Sequence, residues 1–336
     1  MKNTDSMNLQ INTTVVIPNY NGKKYIGACM DSLDKCKPHK TIIVDNGSTD
    51  ESEKGLEKHT DTCVIKLSEN TGFCHAVNLG ISEATTKYVL LLNNDTIVTP
   101  ECIEILEHFL DKHPKAFCVS ARLMQIIDKT LIDDAGDLYC ALGWAFALGK
   151  DKKEDNYNKP AKVFAACGGA VLLRRELAIT LGLFDEAHFA YLEDIDLGYR
   201  ARLAGFENWV CPEAIVYHAG SATSGSRYNT WKTGLAAENS IYIIWKNMPV
   251  LQLILNLPLL LIGFLIKMAF FWLKSIKNKS DRGLFQAYVK GLGCGFKKCR
   301  AIENKTKKVH FNAKNLKNYI FIQLELWINT VRRFVG

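Results

Sequence analysis

Four short apolar stretches in the N-terminal third of the chain each run directly into polar residues. These stretches are residues 13–17, 41–44, 62–67 and 88–92, and helix-like segments lie between them. Short strands that alternate with helices are typical of an α/β sheet with crossover connections. The sequence therefore predicts an α/β fold in which a sheet flanked by helices occupies the first half of the chain.

Three of these predicted strands end in side chains that can bind a ligand. The residues are Pro18, Asn19 and Tyr20; Asp45 and Asn46; and Asn93, Asn94 and Asp95. Ligands of open α/β sheets bind beyond the carboxyl ends of the strands, so we expect these side chains to share one rim. Each cluster alone is also ordinary turn chemistry. Three such strand ends in one sheet favour a ligand site.

A second group of polar residues lies in the segment 191–206, which reads YLEDIDLGYRARLAGF and contains Glu193, Asp194 and Asp196. A partly buried carboxylate can act as a general base at neutral pH. Acidic residues at a helix start also favour the helix dipole, which is the structural alternative. Asp196 is expected to pair with Arg200, four residues later on the same helix.

Charge divides the chain into two parts. Residues 267–336 contain 16 basic and 3 acidic residues, a net charge of +13, whereas the preceding residues carry −6. Just before this basic part, residues 247–266 contain no charged side chain. We expect Gln252, Asn256, Pro258 and Lys267 to break a helix here, so that an interface-lying or re-entrant hairpin competes with a membrane span and with a buried core helix.

Two further segments, 284–300 and 316–335, mix apolar residues with lysine or arginine and are predicted to be amphipathic surface helices. Because the basic residues are interleaved with aliphatic runs rather than stacking aromatics, we expect an anionic membrane surface as the partner and no nucleic acid. No secretory signal is recognisable, and the 11 cysteines form no CxxC pair. We therefore expect a protein with reduced thiols on the cytoplasmic side of a membrane, held peripherally or by a re-entrant or spanning segment.

Six motifs in this order resemble family 2 of the inverting glycosyltransferases, in particular its rhamnosyltransferase-like branch. They cover about residues 13–220 and read VVIPNYNG, IIVDNGSTD, NTGFCHAVNLGI, YVLLLNNDTIV, GGAVLLRRE and LFDEAHFAYLEDIDLGYRARLAGF. The resemblance implies a GT-A fold, a Rossmann-like mixed sheet flanked by helices. We expect this domain at 1–247, with a nucleotide-binding half at about 13–100 and an acceptor half at about 101–247, followed by a helical, membrane-associating region at 248–336.

The resemblance also implies that a nucleoside diphosphate-sugar, linked to UDP or dTDP, binds across the strand ends. The residues expected to contact it are Pro18, Tyr20, Asp45, Asn70, Asn78 and Asn94. A carboxylate such as Asp45 accepts hydrogen bonds from a pyrimidine or a ribose, and a tyrosine ring offers a stacking face. Asn70 and Asn78 are equally well explained as turn and cap residues.

Members of this family hold a divalent cation with a D-x-D motif, which here reads Asn93-Asn94-Asp95. By resemblance, Asp95 and Asn93 are the expected ligands of Mg²⁺ or Mn²⁺, and His218 is expected to complete the site. A core histidine is the alternative explanation of His218. The loss of the first aspartate weakens the prediction of a metal without removing it.

Asp194 matches the family's general base, and Glu193 is expected to orient the acceptor. The family's Arg-Asn pair is replaced here by Glu238-Asn239, which puts a contact with phosphate in doubt. The sequence thus predicts transfer of a sugar to a glycan or lipid-linked acceptor of polysaccharide or cell-envelope biosynthesis. Rhamnose, glucose, galactose and N-acetylglucosamine stay open as the donor sugar, and so does a homo-oligomeric state. A sugar nucleotidyltransferase and a non-catalytic nucleotide-sugar or membrane-binding subunit are the alternatives.

Overall fold

The computed structural model describes residues 12–37, 39–220, 228–278, 281–301 and 307–335. Twelve strands lie in the described ranges: β1 Thr13–Asn19, β2 Lys40–Asp45, β3 Thr62–Lys66, β4 Tyr88–Leu92, β5 Thr96–Val98, β6 Ala116–Gln125, β7 Ile132–Asp134, β8 Asp137–Tyr139, β9 Ala145–Ala147, β10 Ala161–Val163, β11 Ala170–Arg174 and β12 Glu207–His218. The α-helices there are α1 Ile26–Leu33, α2 Phe73–Glu83, α3 Cys102–Lys112, α4 Arg175–Thr180, α5 Glu193–Leu203, α6 Thr230–Asn247, α7 Val250–Lys277, α8 Leu284–Arg300 and α9 Leu316–Val335.

The main sheet is mixed, with the order β10-β12-β6-β11-β4-β1-β2-β3, and β5 and β7 pair with β12 and β6. Strands β1, β2, β3 and β4 are parallel, whereas β11 runs antiparallel between β4 and β6. The four N-terminal strands confirm the predicted ones and differ from them only at their ends. The mixed sheet flanked by helices confirms the predicted fold class.

Alternating side chains of the strands bury both faces of the sheet. Val15 and Ile17 of β1 pack in the layer that contains α1 and α3, and Val16 packs in the opposite layer with α2 and α5. This alternation follows from the two-residue period of a strand. Since both layers are apolar, the polar groups that follow the strands are left at the carboxyl rim of the sheet.

The C-terminal helices pack on the sheet-bearing part through polar as well as apolar contacts. Asn329 of α9 donates to the Tyr139 carbonyl (3.0 Å), and the Ala141 amide donates to the Leu326 carbonyl (3.1 Å). Trp144 donates to the carbonyl of Gly263 in α7 (3.2 Å). Helices α7 and α9 therefore pack against the part of the chain that forms the sheet.

Helix α7 contradicts the prediction that polar residues break the helix of the apolar segment. It is one uninterrupted helix that includes Pro258, so the expected re-entrant hairpin is wrong. The Tyr199 hydroxyl donates to Gln252 Oε1, and Asn256 exchanges two hydrogen bonds of 2.8 Å with Gln323 of α9. These contacts stabilise polar side chains on the buried face of α7, and a single proline removes only one backbone hydrogen bond.

Most of α7 is exposed, which also excludes a buried core helix. Its length and composition are sufficient to cross a membrane. Helices α8 and α9 have the limits of the two predicted amphipathic segments, and apolar side chains of α9 such as Phe321 and Trp327 are exposed. The C-terminal helices therefore present a large apolar surface.

Candidate active site

A cavity of about 850 Å³ opens at the carboxyl rim of the sheet. One wall consists of residues that follow β1, β2 and β4, and the other consists of residues 189–194 together with the first turn of α6. Of the residues predicted for the site, the lining includes Pro18, Tyr20, Asn70, Asn93, Asn94, Asp95, Glu193, Asp194 and His218. The fold thus brings together side chains that are far apart in the sequence.

Asp45 lies directly behind this lining. Its Oδ1 accepts hydrogen bonds from Asn19 Nδ2 (2.8 Å) and from the Ser48 hydroxyl (2.6 Å), and it is almost fully buried. Asn94 in turn donates to Asn19 Oδ1 (2.8 Å). Asp45 therefore holds the end of β1 in place, next to Tyr20 on the cavity wall.

Asn70 and Asn78 lie in different environments. Asn70 lines the cavity and accepts from Asn46 Nδ2 (3.1 Å) and from the Gly72 amide (3.0 Å). The sequence predicts Asn78 near the nucleotide as well, but the structure places it outside this cavity. Asn78 donates to the Phe184 carbonyl (2.8 Å) and accepts from the Phe184 amide (3.0 Å), which fixes a loop below the site.

Pairing between β5 and β12 brings Asp95 to His218. His218 pairs with Thr96, and Asp95 Oδ1 lies 3.2 Å from His218 Nε2. The other ring nitrogen, Nδ1, lies 2.7 Å from the carboxylate of Asp133 in β7. Burial alone would lower the pKa of His218, but hydrogen bonds to Asp133 and Asp95 outweigh it and raise the pKa to about 9.

Asp95 and His218 would hold a divalent cation of the kind expected once the imidazole has lost its proton. A carboxylate oxygen and an imidazole nitrogen converge here, and the amide nitrogen Nδ2 of Asn93 lies 3.5 Å from the same ring nitrogen, so this amide would have to turn to offer its oxygen to the ion. Mg²⁺ and Mn²⁺ accept oxygen donors, and substrate phosphates commonly supply the remaining ligands. Asp133 orients the ring through Nδ1, as the second hydrogen bond of a metal-binding histidine commonly does.

Three other groups of acidic, histidine or cysteine residues lie close together in the described ranges. They are Asp31, Asp34 and His59; Asp134, Asp137 and Cys167; and Asp185, His188 and Asp196. The third group is already neutralised, since Lys246 Nζ lies 2.7 Å from Asp185 and 2.9 Å from Asp196. In the second group, burial raises the pKa of both Asp134 and Asp137, and the nearby Asp194 adds to both shifts.

Glu193 and Asp194 form the first turn of α5 and face the cavity. Burial raises the pKa of Glu193 to about 8, and the neighbouring Asp194 adds to this shift. Burial also raises the pKa of Asp194, against the hydrogen bonds from the Ile195 amide and with Asp137. Burial also raises the pKa of Asp137 well above its usual range, and the nearby carboxylates of Asp134 and Asp194 add to this shift.

Asp196 faces away from the cavity and is structural. It is fully buried and pairs with Arg200, which confirms the predicted ion pair four residues apart. Lys246 and Asn247 of α6 also donate to its carboxylate. Burial raises the pKa of Asp196, but the charges of Arg200, Lys246 and His188 overcome this effect and hold it well below its usual range.

The segment that precedes Glu193 has an unusual backbone. Phe189 (φ 61°), Tyr191 (φ 68°) and Leu192 (φ 66°) all occupy the left-handed region, which bulky residues rarely adopt. Each such residue costs on the order of 1–3 kcal/mol and persists only where surrounding contacts impose it. Phe189 lies against Gly72, where a Cβ atom would come within 2.7 Å of the Phe189 ring. The segment turns Phe189 and Tyr191 onto the cavity wall.

Several residues of the site are not found by sequence reasoning. Asp133, Asp137 and Trp231 reach the site or its immediate neighbours only through tertiary contacts. The run Asp133-Asp134-Ala135-Gly136-Asp137 is a signal that could have drawn attention, because it places three carboxylates in five positions. Trp231 carries no comparable signal.

Comparisons with known proteins identify the family of this chain. The family model described as Glycosyl transferase family 2 matches residues 14–182. An N-acetylglucosaminyl-diphospho-decaprenol L-rhamnosyltransferase from Mycobacterium tuberculosis is 25% identical over 221 residues, which are 58% of this chain and 71% of the relative. The glycosyltransferase GlyG from Streptococcus pneumoniae is 32% identical over 183 residues, which are 53% of this chain and 59% of the relative.

Solved structures show the same fold at low sequence identity. S. aureus TarS 1-349 in complex with UDP-GlcNAc matches with a TM-score of 0.57 at 16% identity, over 96% of this chain and 92% of that one. A mannosyltransferase from Pyrobaculum calidifontis in complex with GDP-Man and Mn²⁺ matches with a TM-score of 0.53 at 15% identity, over 95% and 86% of the two chains. At these identities the likeness concerns the GT-A fold.

Proposed function

The chain belongs to glycosyl transferase family 2, and from this premise we propose that it transfers one sugar from a nucleoside diphosphate-sugar to a hydroxyl group, with inversion. The observation that carries this proposal is the composition of the cavity. The Asp95–His218 pair lies on the rim wall, and the carboxyl groups of Glu193 and Asp194 lie on the wall formed by α5. The proposed diphosphate site and the proposed general base therefore lie in the same cavity.

The donor is proposed to bind along the rim. Tyr20 offers a ring to the nucleotide base, and the amides of Asn70 and Asn94 offer hydrogen bonds, while Asp45 fixes the strand ends behind them. We propose a uridine or thymidine diphosphate as the carrier because of the family branch that the motifs resemble. The donor sugar itself is left to experiment.

Asp95 and His218, with Asn93 beside them, are the proposed holders of Mg²⁺ or Mn²⁺. The ion would supply positive charge against the negative charge that grows on the departing diphosphate. Asp133 keeps the Nδ1 side of His218 engaged, so that Nε2 stays directed toward Asp95. This arrangement uses one carboxylate where most family members have two.

Asp194 is the proposed general base. Its carboxylate accepts the proton of the acceptor hydroxyl as that oxygen attacks the anomeric carbon, and the bond from this carbon to the diphosphate oxygen breaks. The products are the glycosylated acceptor and a free nucleoside diphosphate. Glu193 is 8% exposed, and its Oε2 has no partner among the described residues. These observations support the proposal that Glu193, in its protonated form, donates a hydrogen bond to the acceptor.

The raised pKa of Asp194 predicts how the rate depends on pH. A base must be ionised to accept a proton, so kcat/KM should rise with pH through the pKa of the base. It should fall again near pH 8 as Glu193 loses the proton that it donates to the acceptor. Since burial raises this pKa, we expect the rising limb to lie above the ordinary aspartate value of 3.8. Initial rates between about pH 3.5 and 9 at saturating Mn²⁺ measure it. A rising limb that lies at or below pH 3.8 would contradict the assignment.

For the acceptor, we propose a hydroxyl of a membrane-associated glycan or of a lipid-linked sugar. The exposed apolar faces of α7 and α9 support this proposal, because such surfaces mark a membrane or protein contact. The excess of basic residues in 267–336 favours an anionic lipid surface. We propose that residues 248–336 form this membrane-associating region, while the catalytic machinery lies within 1–247.

Membrane association can be tested with acidic substitutions on the exposed face of α7. We expect Leu261→Asp with Leu265→Asp to shift the protein from anionic vesicles to the soluble fraction, because a carboxylate within an apolar membrane region costs about 2.5–3.5 kcal/mol. Vesicle sedimentation at fixed lipid concentration measures the shift. Ile127→Asp, at an exposed position in the sheet-bearing part, is the matched control. Equal vesicle binding by all three proteins would contradict the membrane surface.

The reaction itself is tested by a donor screen. The full chain is incubated with a panel of nucleotide-sugars, Mn²⁺ and a membrane lipid extract, and the released nucleoside diphosphate and pyrophosphate are measured separately. Acceptor-dependent release of the diphosphate supports the transferase. Release of pyrophosphate in a parallel incubation with nucleoside triphosphates and sugar 1-phosphates would indicate a nucleotidyltransferase, and donor binding without release on any acceptor would indicate a non-catalytic subunit.

A further inference from the structure

Helix α6 stabilises the strained backbone segment that precedes the proposed catalytic residues Glu193 and Asp194. Asn239 of this helix is fully buried, and its side-chain amide donates to the carbonyls of His188 (3.0 Å), Ala190 (2.9 Å) and Tyr191 (2.8 Å). An asparagine amide has two protons, so three acceptors make this a shared set of hydrogen bonds. One side chain therefore satisfies the carbonyls of a backbone that would otherwise not keep its left-handed conformation.

Asn239 is itself fixed by the C-terminal region. Lys298 of α8 donates to Asn239 Oδ1 (2.9 Å) and to the carbonyl of Ala187 (2.6 Å), and it forms an ion pair with Glu238 (2.5 Å). Its side chain is largely buried. Lys298 thus contacts the strained segment through the Ala187 carbonyl, and it also contacts Asn239, which stabilises that segment.

Close packing between α6 and α8 makes this contact possible. A Cβ atom on Gly291 would lie 2.2 Å from the Gly234 carbonyl, and one on Gly295 would lie 2.7 Å from the Glu238 carbonyl. Only glycine permits helices to approach at such a distance. Gly295 and Lys298 are three residues apart in α8, so both reach the same stretch of α6.

We propose that Asn239 and Lys298 are positioning residues. Through them, the C-terminal helices hold residues 189–194, which form part of the cavity wall and the start of α5, in the conformation that catalysis requires. The inference rests on the proposed function, since it takes Asp194 as the base. A base displaced by about 1 Å can lose about 100-fold in rate. The C-terminal region would then be required for catalysis as well as for membrane contact.

The test compares Lys298→Met with Lys112→Met in the full chain. Both changes remove one positive charge from a helix, but Lys112 of α3 is exposed and lies outside the proposed membrane-associating region. We expect Lys298→Met to lower kcat about 10- to 100-fold while the KM for the donor changes less than about twofold, because the donor side of the cavity does not touch this contact. Lys112→Met should leave both values near those of the unchanged protein. A parallel loss of donor affinity, or equal kcat effects of the two variants, would overturn the proposal.

Hydrogen exchange supplies a readout that does not depend on activity. We expect Lys298→Met and the isosteric Asn239→Asp to speed amide exchange in a peptide covering residues 184–195, with the peptide covering β1 unchanged. Unchanged exchange in the first peptide would overturn the proposal even if the enzyme is active. If the unchanged protein transfers no sugar, the proposed function fails, and the exchange result alone still decides whether these residues hold the segment.

Discussion

Replacement of Asp194 by asparagine is expected to lower kcat about 10²- to 10⁴-fold, the range for loss of a general base. Asparagine has nearly the same shape but accepts no proton at neutral pH, so binding of the donor should persist. The structure supports a loss of rate without a loss of donor binding. Asp194 lies at the start of α5, whereas the predicted nucleotide contacts Tyr20 and Asn70 lie at the carboxyl rim of the sheet. Single-turnover rates and donor affinity, measured on the same preparation, distinguish the two steps.

The matched control is Asp155→Asn, which removes a carboxylate from an exposed loop. It should leave kcat, donor affinity and melting temperature unchanged. If Asp194→Asn transferred sugar at the rate of this control, Asp194 would not be the base. Loss of donor affinity in proportion to the rate would instead indicate a binding role.

Removal of a metal ligand is expected to have the second large effect. Asp95→Asn and His218→Ala should each lower kcat/KM by at least about 100-fold, because a metal ion at a departing oxyanion stabilises it by several kcal/mol. Both should also abolish the increase in donor affinity that we expect Mn²⁺ to produce in the unchanged protein. Calorimetric titration of the donor with and without Mn²⁺ measures that increase.

Asp133→Asn serves as the graded comparison, because Asp133 reaches the site only through His218 Nδ1 (2.7 Å). A partner of this kind typically changes metal affinity 10- to 100-fold, so its effect should be smaller than that of His218→Ala. Equal donor affinity with and without Mn²⁺ in the unchanged protein, together with full activity of Asp95→Asn, would exclude a metal at this pair.

Those features of the site that depend on strand order could be predicted from the sequence. The ends of β1, β2 and β4 meet at one rim because neighbouring parallel strands must place their carboxyl ends together, and Tyr20 and Asp95 do lie in one cavity. The limits of α8 and α9 were predictable because their apolar residues recur with a helical period. In both cases the information is local in the chain.

The remaining features depend on contacts between distant segments. Asn78 occurs in a motif shared with the family, yet its side chain binds the backbone of Phe184, which no local pattern indicates. Pro258 and Asn256 suggest a break, but the partner that keeps Asn256 inside α7 is Gln323, 67 residues away. The bonds from Asn239 to the segment before Glu193 likewise require the packed position of α6.

The most direct test of glycosyl transfer follows the sugar and the nucleotide of the donor separately. A nucleotide-sugar identified in the screen carries one isotope in the sugar and another in the nucleotide, and the products from the full chain, Mn²⁺ and membrane lipid extract are separated and counted. Glycosyl transfer with Asp194 as the base should give one free nucleoside diphosphate for each labelled sugar on the acceptor lipid, and neither product with Asp194→Asn. Appearance of the nucleotide label on the acceptor, or of free sugar alone regardless of acceptor, would contradict glycosyl transfer in this cavity.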